Sequence, residues 1–190
     1  MNAPAGVRIE SWEPGDASLD RDVDDLAEVL HAVVHTGAGV SFVVPFSRDD
    51  AREFWLARVL PGVRDGSIRM LVARIDGRIV GTVQIQFPWP PNQPHRAEVA
   101  KLLVHPDARR RGIARALMIA LEEVAQGAGR TLLTLDTWTG GAAESLYTSL
   151  GYVTVGVIPR FARPSTTAQL EPTTIMYKEL ATPSDGSGPV

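Results

Sequence analysis

Val7-Arg8-Ile9-Glu10-Ser11-Trp12 alternates apolar and polar side chains, the two-residue period of a half-buried strand. Between Leu19 and His35 the period lengthens. Val23, Leu26, Ala27, Leu30, Val33 and Val34 recur at three and four with acidic residues between them, which predicts an amphipathic helix ended by Gly37 and Gly39. A second helix is expected after Ser47, with Asp49 and Asp50 at its start and Phe54, Trp55, Ala57 and Val59 along it, closed by Pro61-Gly62. Two β-rich runs, Ile68 to Ile75 and Arg78 to Phe87, flank Asp76-Gly77, a strong hairpin signal. The proline-laden stretch Pro88 to Pro94 cannot supply regular backbone donors and is read as a loop, a candidate lid.

Further along come a strand from Ala97 to Val104 and a helix with Ile113, Leu117, Ala120, Leu121, Val124 and Ala128 on one face, ended by Gly127 and Gly129. A buried strand from Thr131 to Asp136, a short helix from Ala142 to Leu150, and strands Tyr152 to Ile158 and Thr173 to Leu180 complete the pattern. The order is α/β with a mixed, mostly antiparallel central sheet and about four flanking helices. Residues 1–180 are read as one domain, and 181–190, small, polar and proline-bearing, as a disordered tail.

Composition narrows the function. With no cysteine among the 190 residues, disulfides, Cys-ligated metals and thiol nucleophiles are excluded. A net charge of −3 without a long basic stripe gives no case for nucleic acid. No stretch is long and apolar enough for a bilayer and the start lacks a secretory pattern, so the expectation is a cytoplasmic protein with no membrane partner. His31 and His35 have the spacing of two metal ligands on one helix face, but two nitrogens alone seldom hold zinc, and no metal is expected.

One segment breaks a local rule. A helix start carries partial positive charge and unpaired N–H groups, so arginines are disfavoured there. Arg109, Arg110, Arg111 and Arg115 nevertheless crowd the start of the helix that follows Gly112. A solvated basic patch is one explanation; an anion held by the free amides and guanidinium groups is the other, and a pyrophosphate would fit. The segment has neither the lysine of a nucleotide P-loop nor the three glycines of a dinucleotide fingerprint.

Arg109-x-x-Gly112-x-Ala114 resembles the R/Q-x-x-G-x-G/A signature of the GNAT superfamily of acyltransferases, and the element order over about residues 7–180 agrees with that family's fold. The resemblance implies a cosubstrate, acetyl-CoA, whose pyrophosphate is held by Arg109, Arg110, Arg111, Gly112, Ile113, Ala114 and Arg115. Its pantetheine arm would meet backbone groups of the strand ending in Leu102, Leu103 and Val104. Within the superfamily the chain is similar to the tabtoxin-resistance acetyltransferase type, through Ala97-Glu98-Val99, Leu135-Asp136-Thr137 and the run from Leu170 to Leu180.

Acyl transfer to an amine needs a proton removed from the amine and one returned to the departing sulfur. On spacing alone Tyr147 would be a core aromatic. The stretch Ala142 to Tyr152 resembles the family's A-x-x-L-Y-x-x-x-G-[FY] helix, which makes Tyr147 the general acid; Gly140 stands where the family often has Asn. Glu98 is the candidate base, its pKa open to raising by a largely apolar strand, or else it forms a strand-end salt bridge with Arg96 or Lys101. His105 is a second candidate, or a solvated turn histidine.

Asp136, Trp89 and Phe161, with the loop Arg160 to Gln169, are candidates for the acceptor side. The expected reaction is acetylation of the primary amine of a small amino-acid-like molecule by direct attack on the thioester, compatible with resistance or detoxification. Acetylation of a protein N-terminus or lysine, and a catalytically silent acyl-CoA-binding module, are the alternatives. A homodimer is the base-rate expectation.

Overall fold

The computed structural model describes residues 3–13, 15–88 and 90–181; Trp89 and the tail 182–190 fall outside them. A seven-stranded sheet runs in the order β1-β2-β3-β4-β5-β7-β6. Its strands are β1 (Arg8–Ser11), β2 (Ile68–Ile75), β3 (Arg78–Gln86), β4 (Arg96–Val104), β5 (Leu132–Trp138), β6 (Val153–Ala162) and β7 (Glu171–Glu179). Every neighbouring pair is antiparallel except β4 and β5, which are parallel.

Two helical layers cover the sheet. α4 (Ile113–Gly127) buries Ile113, Leu117, Met118 and Leu121 against Leu71, Ala73, Val83, Ile85, Ala97 and Val99. On the other face α1 (Asp16–His35) and α2 (Arg48–Glu53) pack Val23, Leu26, Leu30 and Ala51 around Trp12, Trp55, Met70 and Val72. α5 (Ala142–Ser149) follows β5 and buries Tyr147 in the α4-side core.

Several elements depart from the expected pattern for identifiable reasons. α1 begins at Asp16, a turn earlier than its apolar stripe, and two of its acidic residues, Asp22 and Asp25, are buried rather than solvated. Arg74 pairs with Asp22 at 2.8 Å and Arg78 with Asp25 at 2.5 Å, and the Ile79 amide also donates to Asp25 at 3.0 Å. These arginines come from the neighbouring hairpin, which the helical period cannot reveal.

The second helix does not stop at Pro61-Gly62. It passes through a π-helical turn (Phe54–Val59), in which the Leu60 amide reaches back to the Trp55 carbonyl, into α3 (Leu60–Asp65). The wide turn accommodates Pro61, which cannot continue an α-helical ladder, and Gly66 at φ +82° ends the helix. At its start the expected cap is present: Ser47 and Asp50 form a reciprocal capping box.

β6 runs four residues past its expected end, so Arg160 to Ala162 are strand rather than loop. The hairpin at Asp76-Gly77 is as expected, with both residues in the left-handed region.

Candidate active site

Strand β4 is where the sheet opens. It pairs with β5 only from Arg96 opposite Leu132 to Glu98 opposite Thr134; beyond that rung β5 pairs with β7 alone. From Val99 onward the β5-facing backbone edge of β4 therefore has no ladder partner among the described residues. In the same stretch the β3–β4 register shifts between Thr82 and Gln84, and Lys101 takes φ +51°. This bulge switches the strand's phase: Ala97 and Val99 face the α4-side core, whereas Leu103 faces the α1-side core. Leu102 and Val104 lean on the α4-side core, and the Val104 carbonyl accepts from Arg109 Nε at 3.3 Å.

The segment after β4 makes a short 3₁₀ turn (Pro106–Ala108) and then places Arg110 at φ +62° and Gly112 at φ +78°. The first α4 bond runs from the Ala116 amide to the Gly112 carbonyl, which leaves the amides of Ile113, Ala114 and Arg115 without helical acceptors. Arg110 and Arg111 are exposed and make no side-chain bond among the described residues. Arg109 and Arg115 are occupied: Arg109 also donates to Thr36 Oγ1 at 3.2 Å, and Arg115 to Ser149 Oγ at 2.6 Å. The turn thus has open amides and two free guanidinium groups beside a cleft in the sheet, which fits a pyrophosphate on an extended arm.

Asp136, on β5, and Tyr147, on the helix that follows it, come from the β5 side of that cleft. Tyr147 is 6% exposed and packs against Tyr152 at 5.6 Å between ring centroids. Burial and then the charge of Asp136 push its phenol well above the ordinary range, so it stays protonated, and it donates no hydrogen bond to the described residues. Tyr152 is held by its neighbours: Lys178 lies 5.6 Å from its ring centroid and bonds Glu122 at 2.6 Å and the Leu150 carbonyl at 2.7 Å. Asp136, at the exposed end of β5, accepts from Thr173 Oγ1 at 2.9 Å.

Glu98 shares a sheet face with Thr134 and Asp136, the face turned toward α1 and α2. It is exposed, so it does not have the apolar surroundings expected of it, and neither Arg96 nor Lys101 pairs with it. Arg96 bonds Gln93 and Thr134 instead, each at 3.0 Å. Gln86 stands opposite Glu98 on β3. His105 caps its own turn through the Asp107 amide and lies 3.8 Å from Glu28. Phe161 is 52% exposed on the edge strand β6. Ser165, in the following loop, is buried against the Val34 carbonyl and accepts from the Val44 amide through its own carbonyl, which lays this loop over the α1–α2 connection.

Sequence reasoning names Lys101 only as a salt-bridge partner for Glu98 and does not single out Ser41; the structure brings the two together, Lys101 Nζ donating to Ser41 Oγ at 3.2 Å. Nothing in a two-residue period announces a bulge, and Ser41, at φ +76°, lies in an irregular connection between helices. Among the described residues no three acidic or histidine side chains cluster as metal ligands, and no helix is long and apolar enough to cross a membrane. A cleft of about 430 Å³ bordered by Asp24, Glu28, Arg48 and Arg52 contains no residue of the site.

Residues 34–152, which span this cleft, turn and tyrosine helix, match the Acetyltransferase (GNAT) family. The chain belongs to the GNAT family. It is an acyl-CoA-dependent N-acetyltransferase that uses acetyl-CoA. It is similar to the uncharacterized N-acetyltransferase in the hisH-hisA intergenic region of Azospirillum brasilense, 33% identical over 131 residues, 68% of this chain and 72% of that protein. Solved structures share the GNAT fold. The ribosomal-protein-alanine N-acetyltransferase of Brucella melitensis superposes with a TM-score of 0.71 at 22% identity, over 91% of this chain and 99% of that one. A Salmonella typhimurium structure containing its cofactor acetyl-CoA superposes with a TM-score of 0.67 at 20% identity, over 96% and 98%.

Proposed function

We propose that this GNAT enzyme acetylates the primary amine of a small amino-acid-like molecule. The observation that carries the reading is the pairing of a protonated, buried phenol, Tyr147, with an anionic, solvent-open rim formed by Glu98 and Asp136 across the cleft between β4 and β5. A small ammonium is drawn to that rim, and open water access suits a soluble acceptor.

Acetyl-CoA, when bound, supplies the activated thioester carbonyl. The protein's groups do the proton work. Glu98 takes a proton from the acceptor ammonium, directly or through one water, so that the nitrogen lone pair attacks. The C–N bond forms as the C–S bond breaks, and Tyr147 gives its phenolic proton to the departing sulfur. In water a thiol near pKa 8.5 would be a weak match for so basic a phenolate. Desolvation beside the buried phenol would raise the proton affinity of the departing sulfur too and narrow the gap. Backbone groups of Leu102 and Leu103, the amides of Ile113 to Arg115, and Arg110 and Arg111 would hold the cosubstrate.

The test is free-thiol release from acetyl-CoA against matched panels of amino acids, simple amines and peptides. Saturable release with amino acids supports the reading; release only with peptides or proteins overturns it.

A homodimer through β6 extends the proposal. Val153, Val155 and Val157 are each at least half exposed on this edge strand, and among the described residues one side of β6 has no partner strand. Such an edge is self-complementary about a two-fold axis, because an antiparallel copy presents the same valines to it.

A further inference from the structure

We propose that Lys101 and Ser41 form a carboxylate-recognition subsite that selects acceptors carrying an acid group beside the amine. The inference rests on the small-molecule reading above for its substrate class, but on separate residues for its geometry.

Lys101 sits at the β4 bulge, and the left-handed backbone there turns its side chain toward the α1–α2 connection. Its Nζ donates to Ser41 Oγ at 3.2 Å and lies 5.8 Å and 5.7 Å from the ring centroids of Phe42 and Phe54. Ser41 is itself in the left-handed region, at φ +76°. Two non-glycine residues therefore hold unfavourable backbone conformations at the ends of one hydrogen bond. Such strain persists only where the surroundings impose it, and it gathers at ligand-binding positions.

The cation in this place is short of anions. Phenyl faces and a hydroxyl solvate it, while no carboxylate of the described residues is within ion-pair distance. Desolvation lowers its pKa, and the charge of Asp136, beyond ion-pair reach, partly offsets that. A half-buried ammonium with a spare hydrogen-bond donor and an adjacent hydroxyl is a receptor for a carboxylate, which would accept charge-assisted bonds from both. Asp136 on β5 and Glu98 earlier on β4 supply the opposite sign. A zwitterion laid across the cleft would place its carboxylate on Lys101 and Ser41 and its ammonium toward the acidic rim.

The experiment uses the full-length protein loaded with CoA and pairs of N-acetylated amino acids and their N-acetylated carboxamides as probes, with affinities measured by calorimetry. The expected result is that wild type binds the acids at least about tenfold more tightly than the matched amides. Lys101→Met, which keeps side-chain length against Phe42 and Phe54, is expected to bring that ratio close to one, and Ser41→Ala to lower it. An acetyl-CoA titration of each variant reports whether the fold is intact, and Ser41→Ala remains decisive if Lys101→Met fails to fold. Equal binding of acids and amides by wild type, or a ratio that survives in the variants, overturns the subsite. If the acids bind in a Lys101-dependent way while no small amine releases thiol from acetyl-CoA, the small-molecule reading fails and the subsite stands.

Discussion

The carboxylate of Asp136 adds to burial in holding the Tyr147 phenol protonated. Because the phenol keeps its proton throughout the neutral range, it can give one to the departing sulfur without first having to be charged. Tyr147→Phe is expected to lower kcat by about 100-fold, the usual effect of removing a positioned acid, with acetyl-CoA affinity retained within about threefold. Steady-state kinetics and calorimetry on one preparation check this. An unchanged kcat would remove the tyrosine from the chemistry.

The same burial predicts alkaline instability. Burial first, and then nearby carboxylates, raise the pKa of both Tyr147 and Tyr152 above the value near 10 of an unfolded chain. Below about pH 10 both states are protonated and the two tyrosines leave stability unchanged with pH. Above it the unfolded chain releases protons that the folded one keeps, so stability falls by up to about 1.4 kcal/mol per pH unit for each tyrosine. Urea midpoints between pH 9 and about 11 should show this decline. Tyr147→Phe should make it shallower, whatever its offset at pH 9.

In the pyrophosphate turn the arginines divide by what they already touch. Arg110 and Arg111 are free, so alanine at either should weaken acetyl-CoA binding by about threefold to tenfold, an effect reduced by salt. Arg109 is tied to Val104 and Thr36, so Arg109→Ala should chiefly lower the melting temperature. At Gly112 a Cβ would meet only Pro4 Cγ, at 3.4 Å, but φ +78° strains any other residue. Gly112→Val should therefore weaken acetyl-CoA binding by about tenfold or more, by straining the turn and by standing between the ligand and the amides. Unchanged affinity would defeat the pyrophosphate placement.

The legible features of the site were those encoded over short distances. Arg109-x-x-Gly112-x-Ala114 is a local turn whose excess of arginine is visible from residue type, and Tyr147 stands out through the resemblance of its own short stretch to a family helix. The hairpin at Asp76-Gly77 and the apolar stripe of α1 are equally local, and both stand as read. What escaped depends on pairings between distant segments. The β4 bulge is a mismatch of register with β3, so neither strand alone contains it, and with it went the direction of Lys101. Glu98 could be put on β4 from sequence, but its exposure follows from where β5 parts company with it, a property of two strands. The continuation of helix beyond Pro61 depends on a π turn built around the buried Trp55, for which local propensity offers no signal.

Those long-range pairings also hold the site's frame, and one can be tested by stability alone. Arg74 on β2 grips Asp22 of α1 with two bonds, 3.0 Å from Nη1 and 2.8 Å from Nη2, while its Nε bonds Glu10 of β1 at 2.6 Å. Trp12 Nε1 completes the cluster with a 3.3 Å bond to Asp22. Asp22 is almost wholly buried, so Arg74→Met would leave its carboxylate only the exposed Arg21, 3.8 Å away, as counter-ion and should cost about 3–5 kcal/mol in urea unfolding. Replacing both partners, as Asp22→Leu with Arg74→Met, should recover most of that loss, because the desolvated charge goes with the pair. A single-variant cost below about 1 kcal/mol would mean that water reaches Asp22 and the pair does not fix α1 to the sheet. A full cost with recovery in the double variant would locate the tie that carries α1, and the Ser41 loop after it, against β4.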